Sequence, residues 1–252
     1  METMTRHLAS KVPAITFAFW VMKICATTLG ETGGDLLSMT LNVGYAVSSL
    51  ILISFFVVTV IAQLASKAYH PALYWLVILA TSTAGTTMSD FIDRTLHWGY
   101  PTGAAVLAGL LVGVLVVWRL TTGSLKVDHI RSRKVETFYW TAILISNTLG
   151  TALGDFLADS SGLGFGGGAL LISSLLLLIT LAHYFTPAPK TLLFWLAFVL
   201  TRPFGATAGD LLTKTHAKGG LGFGTIGSSA VLMAVLVVFV ALAMRQRTPV
   251  PA

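Results

Sequence analysis

Charged residues are scarce in this 252-residue chain, since Asp, Glu, Lys and Arg together make up only 10% of it. Soluble globular domains contain roughly 25% charged residues, so the composition excludes both a soluble enzyme and a disordered chain. Hydrophobic residues make up 55% of the sequence, and the mean hydropathy is +0.81. That is more apolar surface than one soluble core buries, so the sequence predicts an integral membrane protein.

Cysteine is almost absent as well, because Cys25 is the only one. A single cysteine excludes an intramolecular disulfide and argues against a thiolate metal cluster. The sequence also lacks a P-loop, a G-x-S-x-G nucleophile and an HExxH zinc motif, so we expect neither enzymatic activity nor a resident cofactor. Its Lys and Arg residues lie between apolar runs instead of on one solvated face, which argues against nucleic acid as a partner.

Eight apolar stretches approach the roughly 20 residues that a membrane-spanning helix needs. They cover residues 13–36, 43–65, 71–92, 103–120, 136–157, 166–185, 190–212 and 224–244. Positive charge is concentrated in cytoplasmic loops, and eleven cations fall on the side that holds both termini: Arg6, Lys11, Lys67, Arg119, Lys126, Arg131, Arg133, Lys134, Lys190, Arg245 and Arg247. Three fall on the other side, namely Arg94, Lys214 and Lys218. Both termini are therefore predicted to be cytoplasmic.

A six-residue pattern, G-x-x-x-[G/S]-D, occurs four times, at residues 30–35, 85–90, 150–155 and 205–210. The leading glycines are 55, 65 and 55 residues apart, and the longer interval contains a basic segment. We therefore expect two duplicated halves, residues 1–120 and 136–252, joined by a basic cytoplasmic linker at 121–135. Fixed-period similarity of this kind dictates the architecture.

A second repeated pattern, Leu-x-x-Gly, follows each motif, at residues 41–44, 96–99, 163–166 and 221–224. It predicts that each repeat is a helical hairpin whose turn ends at a glycine that begins the return helix. Two spans per repeat make all four copies enter the membrane in the same direction, so they are parallel repeats around an axis along the membrane normal. The predicted fold is an all-α membrane protein with eight transmembrane helices, arranged as four parallel hairpins in two related halves.

Parallel repeats bring the motif aspartates to one depth, as a ring or as two pairs: Asp35, Asp90, Asp155 and Asp210. An aspartate at the centre of a membrane helix costs about 2.5–3.5 kcal/mol, so four in register indicate a use for their charge. The alternative is that each lies shallow, capping a turn or pairing with Arg94, Lys214 or Lys23. Small residues at i and i+4 also predict close helix packing, at Gly30, Gly34, Gly85, Ser89, Gly150, Gly154, Gly205 and Gly209.

Further oxygen donors accompany the aspartates, and carboxylate and amide oxygens suit Mg²⁺, Ca²⁺ or Mn²⁺. The predicted metal ligands are the four motif aspartates together with Glu31, Asp93, Asp159 and Asn147. Two cations within the spans are expected to tune the charge. Arg202 would neutralise part of the acidic cluster, and Lys23 would release a proton readily if buried. A plain salt bridge from either cation to an acid is the alternative.

The four motifs resemble those of bacterial integral membrane proteins built from four copies of a short repeat of unknown function, described as uncharacterised membrane-anchored proteins. This resemblance covers essentially the whole chain and implies a multi-pass protein of the bacterial inner membrane, without implying an activity. The Gly-Asp pairs that end at Asp35, Asp155 and Asp210 are also similar to the acidic-x-Gly-Asp pattern of cation/proton exchangers, which carry it in parallel repeats.

These features predict a membrane transporter of a small cation, with Mn²⁺ as the preferred divalent metal and proton-coupled efflux, as in an antiporter, as the preferred mode. Its partners would be the lipid bilayer, the cation and protons. Three alternatives stay open: a cation channel, a proton-coupled carrier of a small organic solute, and a structural membrane protein without transport. Aromatic walls for an organic solute could come from Trp20, Trp75, Trp98, Trp140 and Trp195, although an interfacial belt explains these residues more simply.

Overall fold

The computed structural model of the protein describes residues 11–127, 130 and 132–245. Within these residues the chain forms eight long α-helices and no strand, so the all-helical prediction is confirmed. Three of the predicted cytoplasmic cations, Arg6, Arg131 and Arg247, lie outside the described residues. The helices are α1 (Phe17–Asp35), α2 (Tyr45–Ala65), α3 (Pro71–Asp90), α4 (Tyr100–Thr122), α5 (Arg133–Asp155), α6 (Gly164–Phe185), α7 (Lys190–Thr213) and α8 (Thr225–Arg245).

The four odd-numbered helices, which begin the four repeats, form a closed inner ring. Around this ring α1 packs on α3, α3 on α5, α5 on α7, and α7 on α1. The even-numbered helices lie outside it, and each packs mainly on the inner helix of the following repeat: α2 on α3, α4 on α5, α6 on α7, and α8 on α1. Consecutive repeats are therefore interlocked, and the two duplicated halves share one ring in space.

Six helices of the described residues, α2 and α4 to α8, are long and apolar enough to cross a membrane, which indicates a multi-pass membrane protein. The outer helices turn apolar side chains away from the ring. In the outer helix α8 only 11% of the most apolar stretch is buried inside the protein, whereas in the inner helix α5 the share is 61%. Lipid is as apolar as leucine and accepts such faces. The other two helices, α1 and α3, carry polar side chains that the ring buries.

The motif glycines create close contacts between neighbouring inner helices. A Cβ atom at each leading glycine would collide with a residue of the next repeat, in the pairs Gly30 and Ser82, Gly85 and Asn147, Gly150 and Arg202, and Gly205 and Thr27. One turn later the same relation holds for Gly34 and Thr86, Gly154 and Ala206, and Gly209 and Glu31. The repeated pattern therefore sets the helix spacing around the whole ring.

Replacing Gly150 with alanine is expected to destabilise the protein by about 1–3 kcal/mol, because the added methyl group would displace Arg202. Gly113 is the matched control, since it lies within α4 and a Cβ there meets open space. Its alanine variant should be neutral or up to about 1 kcal/mol more stable. Thermal unfolding of both variants in the same detergent micelles measures the difference, and equal melting temperatures would contradict this packing role.

The first three inner helices continue past their motif aspartate as a five-residue π-helical turn. These turns are Leu36–Thr40, Phe91–Thr95 and Phe156–Ser160. The fourth repeat differs, because α7 runs on to Thr213 and a longer loop follows, with a short 3₁₀ turn at His216–Lys218. Short π-helical segments are frequent at functional sites, and here they directly follow the repeated carboxylates.

In the third repeat the glycine that ends the return turn is Gly164, two residues before Gly166, the last residue of the predicted pattern at 163–166. Each return turn uses two left-handed residues, at Asn42 and Gly44, His97 and Gly99, Gly162 and Gly164, and Gly222 and Gly224. In the third repeat Gly164 has a φ of +66°, whereas Gly166 lies inside α6. Nine residues separate the motif aspartate from this glycine in each of the first three repeats, so the turn geometry, rather than the leucine, determines the alignment.

Candidate functional site

The four motif aspartates lie at one end of the inner ring and are all buried. Asp35, Asp90 and Asp155 are the last residues of their helices, and Asp210 lies in the last turn of α7. Asp35 is 18 residues from the start of α1, or about 27 Å along the helix axis. We call these aspartates, with the buried Glu31 one turn below them, the acid layer, and their end of the bundle the acid end.

Two neighbouring aspartates share the guanidinium group of Arg94. Its Nε lies 2.8 Å from Oδ1 of Asp90, and its Nη2 lies 3.2 Å from Oδ2 of Asp155. Arg94 stands four residues after Asp90, on the π-helical turn. One cation therefore bridges the second and third repeats.

The other two aspartates share the ammonium group of Lys214, which stands four residues after Asp210. Its Nζ lies 2.6 Å from Oδ2 of Asp35 and 2.9 Å from Oδ1 of Asp210. Burial lowers the pKa of Lys214, but attraction to these two carboxylates outweighs burial and places the pKa above its ordinary value. Lys214 is therefore charged at neutral pH, and the acid layer consists of two cation-bridged pairs instead of an open ring.

The guanidinium group of Arg202 lies at the level of Glu31, one helical turn further from the acid end than the aspartates, and it connects all four inner helices. Its side chain is fully buried, and Nη2 donates a hydrogen bond to Oε2 of Glu31 at 3.0 Å. The same nitrogen donates to the hydroxyl oxygens of Thr86 and Thr151, at 2.7 Å for Thr151. Because Arg202 belongs to α7 and its partners belong to α1, α3 and α5, this one side chain joins the whole ring.

Three carboxylates of the acid layer converge closely enough to hold a metal ion. Glu31, Asp35 and Asp210 each offer one oxygen, and these three oxygens lie within 4.8 Å of one another. Oδ1 of Asp35 has no hydrogen-bond partner in the described part of the chain, although Asp35 is only 2% exposed. We call this group the carboxylate triad.

The charges of the acid layer do not balance. Its five carboxylates contact three cations among the described residues, namely Arg94, Lys214 and Arg202. Every carboxylate contacts a cation, but with all five ionised the negative charges outnumber these three positive charges by two. A buried ionised group is costly unless it is paired, so the layer requires protons or a further cation.

Lys23 does not form the salt bridge to Glu31 that was one interpretation of the sequence. It is completely buried, and within residues 11–127, 130 and 132–245 its Nζ has no hydrogen-bond partner. The ammonium lies 4.1 Å from the centre of the Phe198 ring, a favourable position for a cation over an aromatic face. The partner of Glu31 is Arg202, which lies one helical turn after Phe198 on α7.

The family model described as Repeat of Unknown Function (DUF347) matches residues 18–69, 73–124, 138–188 and 193–248. The chain belongs to this repeat family. Each matched segment holds one inner helix and one outer helix, so the repeat is the building unit of the ring. No curated protein and no solved structure matches the chain, and the likeness to cation/proton exchangers gains no support.

Three predicted ligands of the DUF347 repeats lie outside the carboxylate triad. Asp93 accepts a hydrogen bond from Oγ of Ser89 at 3.2 Å and lies against Gly103 of α4, outside the ring. Asn147 donates to Oγ1 of Thr81 at 2.9 Å, two turns below Asp155. Asp159 is half exposed at the rim and lies 3.8 Å from Nη2 of Arg94, the nitrogen that also contacts Asp155.

The opposite end of the ring is closed by aromatic side chains at equivalent positions of the four repeats. Phe19, Tyr74, Tyr139 and Phe194 lie eleven residues before each leading glycine and are buried. The hydroxyl oxygens of Tyr74 and Tyr139 are 2.6 Å apart, and the rings of Phe19 and Phe194 are 6.5 Å apart. We call these four residues the aromatic layer and this end the aromatic end.

A tryptophan follows each member of the aromatic layer. Trp75, Trp140 and Trp195 are buried against the rings of this layer, so the interfacial-belt interpretation is wrong for these three. Trp98 lies outside the aromatic layer and is 47% exposed. A comparison of equivalent repeat positions would have found the aromatic layer. It would also have found Thr86 and Thr151, which occupy the position that Glu31 has in the first repeat.

Proposed function

We propose that the protein carries a small cation across the membrane through the acid layer. One observation carries this proposal: five buried carboxylates contact three cations, which leaves two negative charges unmatched. Protons or a metal ion would stabilise such charges, and a divalent ion supplies two positive charges at once. Binding of the metal would displace protons, so we propose proton-coupled exchange. No chemical conversion is involved, and we therefore propose no enzymatic activity.

The donors support a hard divalent ion as the substrate. The oxygens of Glu31, Asp35 and Asp210 are hard ligands of the kind that Mg²⁺, Ca²⁺ and Mn²⁺ prefer. Among these ions we propose Mn²⁺, and the elemental measurement below compares it with the others.

We further propose that all eight helices cross the bacterial inner membrane with the acid end outside and both termini in the cytoplasm. Eight of the eleven predicted cytoplasmic cations belong to the described residues, and all eight lie in segments at the aromatic end. This distribution supports the orientation because cytoplasmic segments carry the excess of Lys and Arg. The low apolarity of α1 and α3 fits a span whose polar face is enclosed by protein.

A carrier fits the two ends of the ring better than the alternatives do. The buried aromatic layer blocks the passage that an open cation channel would need. An organic solute would need free aromatic walls, whereas these rings pack on one another far from the acid layer. A purely structural protein has no use for two unmatched buried charges.

The test is the elemental content of cells challenged with manganese, calcium, magnesium, zinc or cobalt. Cells with the wild-type protein should contain less manganese than cells with an empty vector, and Asp155→Asn should abolish this difference. Asp93→Asn is the matched control, because Asp93 is buried but faces Gly103, and it should behave as the wild type. With equal protein levels, unchanged content of all five metals in wild-type cells would rule out transport of these ions.

A further inference from the structure

The ammonium group of Lys214 lies where a bound cation would lie. It contacts two members of the carboxylate triad, Asp35 at 2.6 Å and Asp210 at 2.9 Å, and its side chain is 22% exposed. One oxygen of Asp35 stays without a hydrogen-bond partner in the described structure, so the triad has coordinating capacity that Lys214 does not use. The site therefore already holds a positive charge, and this charge belongs to the protein itself.

Lys214 is held by fewer carboxylates than its counterpart Arg94. Arg94 belongs to a π-helical turn that continues α3, and its guanidinium group contacts three carboxylates, those of Asp90, Asp155 and Asp159. Lys214 instead follows the end of α7 with an extended backbone, at φ −69° and ψ 152°. Its carbonyl oxygen accepts a hydrogen bond from the backbone N–H of Gly222 at 2.9 Å, which anchors the main chain of the loop. Apart from a 4.0 Å contact with Sδ of Met39, its ammonium group contacts only two carboxylates in the described part of the chain, and it can leave them by side-chain rotation.

We propose that Lys214 is a tethered counter-cation that occupies the carboxylate triad when the carrier holds no metal ion and leaves it when a divalent cation binds. This inference rests on the proposed cation transport. It deepens that function by giving the empty carrier a defined state in which Lys214 balances one of the two negative charges of Asp35 and Asp210. Moving uncompensated charge through a low-dielectric region is costly, so an internal cation lets the empty carrier change conformation without substrate.

Competition between Lys214 and the metal has a measurable consequence for affinity. Lys214→Gln should bind Mn²⁺ at least 10-fold more tightly than the wild type, because the metal no longer has to displace an ammonium group. Lys218→Gln is the matched control, since Lys218 lies on the same loop and is exposed, and its affinity should stay within 2-fold of the wild type. Isothermal titration calorimetry of the full chain in detergent micelles, with Mn²⁺ as the titrant, measures all three affinities.

A second measurement uses the unaltered protein and does not depend on the folding of Lys214→Gln. Saturating Mn²⁺ should increase the rate at which acetic anhydride acetylates Lys214, because the displaced ammonium group enters solvent. Lys218 serves as the internal reference, and its acetylation rate should not change. Peptide mass spectrometry reports both rates.

Three results decide the proposal. Tighter Mn²⁺ binding by Lys214→Gln together with faster acetylation of Lys214 supports it. Binding of Mn²⁺ by the wild type with no gain in Lys214→Gln, or with unchanged acetylation, overturns the tethered-cation role and leaves cation transport standing. If neither protein binds Mn²⁺, and further titrations with Mg²⁺ and Ca²⁺ show no binding either, both the tethered cation and the proposed function are wrong.

Discussion

Replacing Arg202 with methionine is expected to destabilise the folded protein by about 3–5 kcal/mol, the usual cost of removing one partner from a buried ion pair. Arg202 is the fully buried partner of Glu31 and also donates to Thr86 and Thr151, so the substitution deprives acceptor oxygens on three other helices of their donor. Methionine keeps a long apolar side chain against Gly150, which limits the loss of packing. Thermal unfolding in detergent micelles, followed by circular dichroism, measures the change.

The double variant Arg202→Met with Glu31→Gln separates charge from packing. It removes both members of the ion pair, so its stability should recover a substantial part of the loss caused by Arg202→Met alone. If Arg202→Met unfolds at the wild-type temperature, Arg202 does not hold the inner ring together. If the double variant is no more stable than Arg202→Met, the loss does not come from the uncompensated charge of Glu31.

Asp35→Asn is expected to weaken Mn²⁺ binding at least about 100-fold. The change keeps the shape of the side chain and removes one of the three negative charges of the carboxylate triad. Changes even to groups that only support metal ligands cost 10- to 100-fold in affinity, so the loss of a direct ligand should cost more. Calorimetric titration with Mn²⁺ measures the effect.

Asp93→Asn is the control for this substitution, because it makes the same chemical change in a buried residue outside the acid layer. Asp93 accepts its hydrogen bond from Ser89 and lies against α4, so its variant should bind Mn²⁺ within 2-fold of the wild type. Equal affinities for both asparagine variants would mean that the carboxylate triad is not the cation site.

The architecture was predictable because its determinants are repeated in the sequence. A period of 55 residues between the motif glycines indicated helical repeats, and the position of each aspartate near the end of a span indicated that the four would share one level. The small residues at i and i+4 indicated close helix contacts, and in the structure they face the next repeat. These features depend on helical periodicity within one repeat.

The pairing of the aspartates was not predictable, because it depends on which helices are neighbours and on how side chains turn at their ends. Arg94 and Lys214 follow their own aspartates by four residues, so their first partners could be read from the sequence. Their second partners, Asp155 and Asp35, become available only because the ring brings neighbouring repeats together. The contacts of Arg202 with three other inner helices were not predictable for the same reason, because they exist only once the ring has brought the repeats together.

Proximity in sequence does not place a side chain in the acid layer. Asp93 follows Asp90 by three residues, but it lies in a π-helical turn and faces the outer helix α4. Asn147 lies two turns from Asp155, where it donates a hydrogen bond to Thr81. The level and the face of these two side chains depend on helix geometry that their sequence distance from the aspartates does not give.

We propose that the buried acid layer binds and moves a divalent cation, and flux measured in proteoliposomes tests this proposal. Vesicles loaded with a Mn²⁺-sensitive dye and a pH-sensitive dye should show Mn²⁺ entry with simultaneous proton exit when they contain the wild-type protein. Vesicles that contain Asp35→Asn should match protein-free vesicles. Wild-type vesicles that admit Mn²⁺ no faster than protein-free ones, or Asp35→Asn vesicles that admit it at the wild-type rate, would contradict the claim.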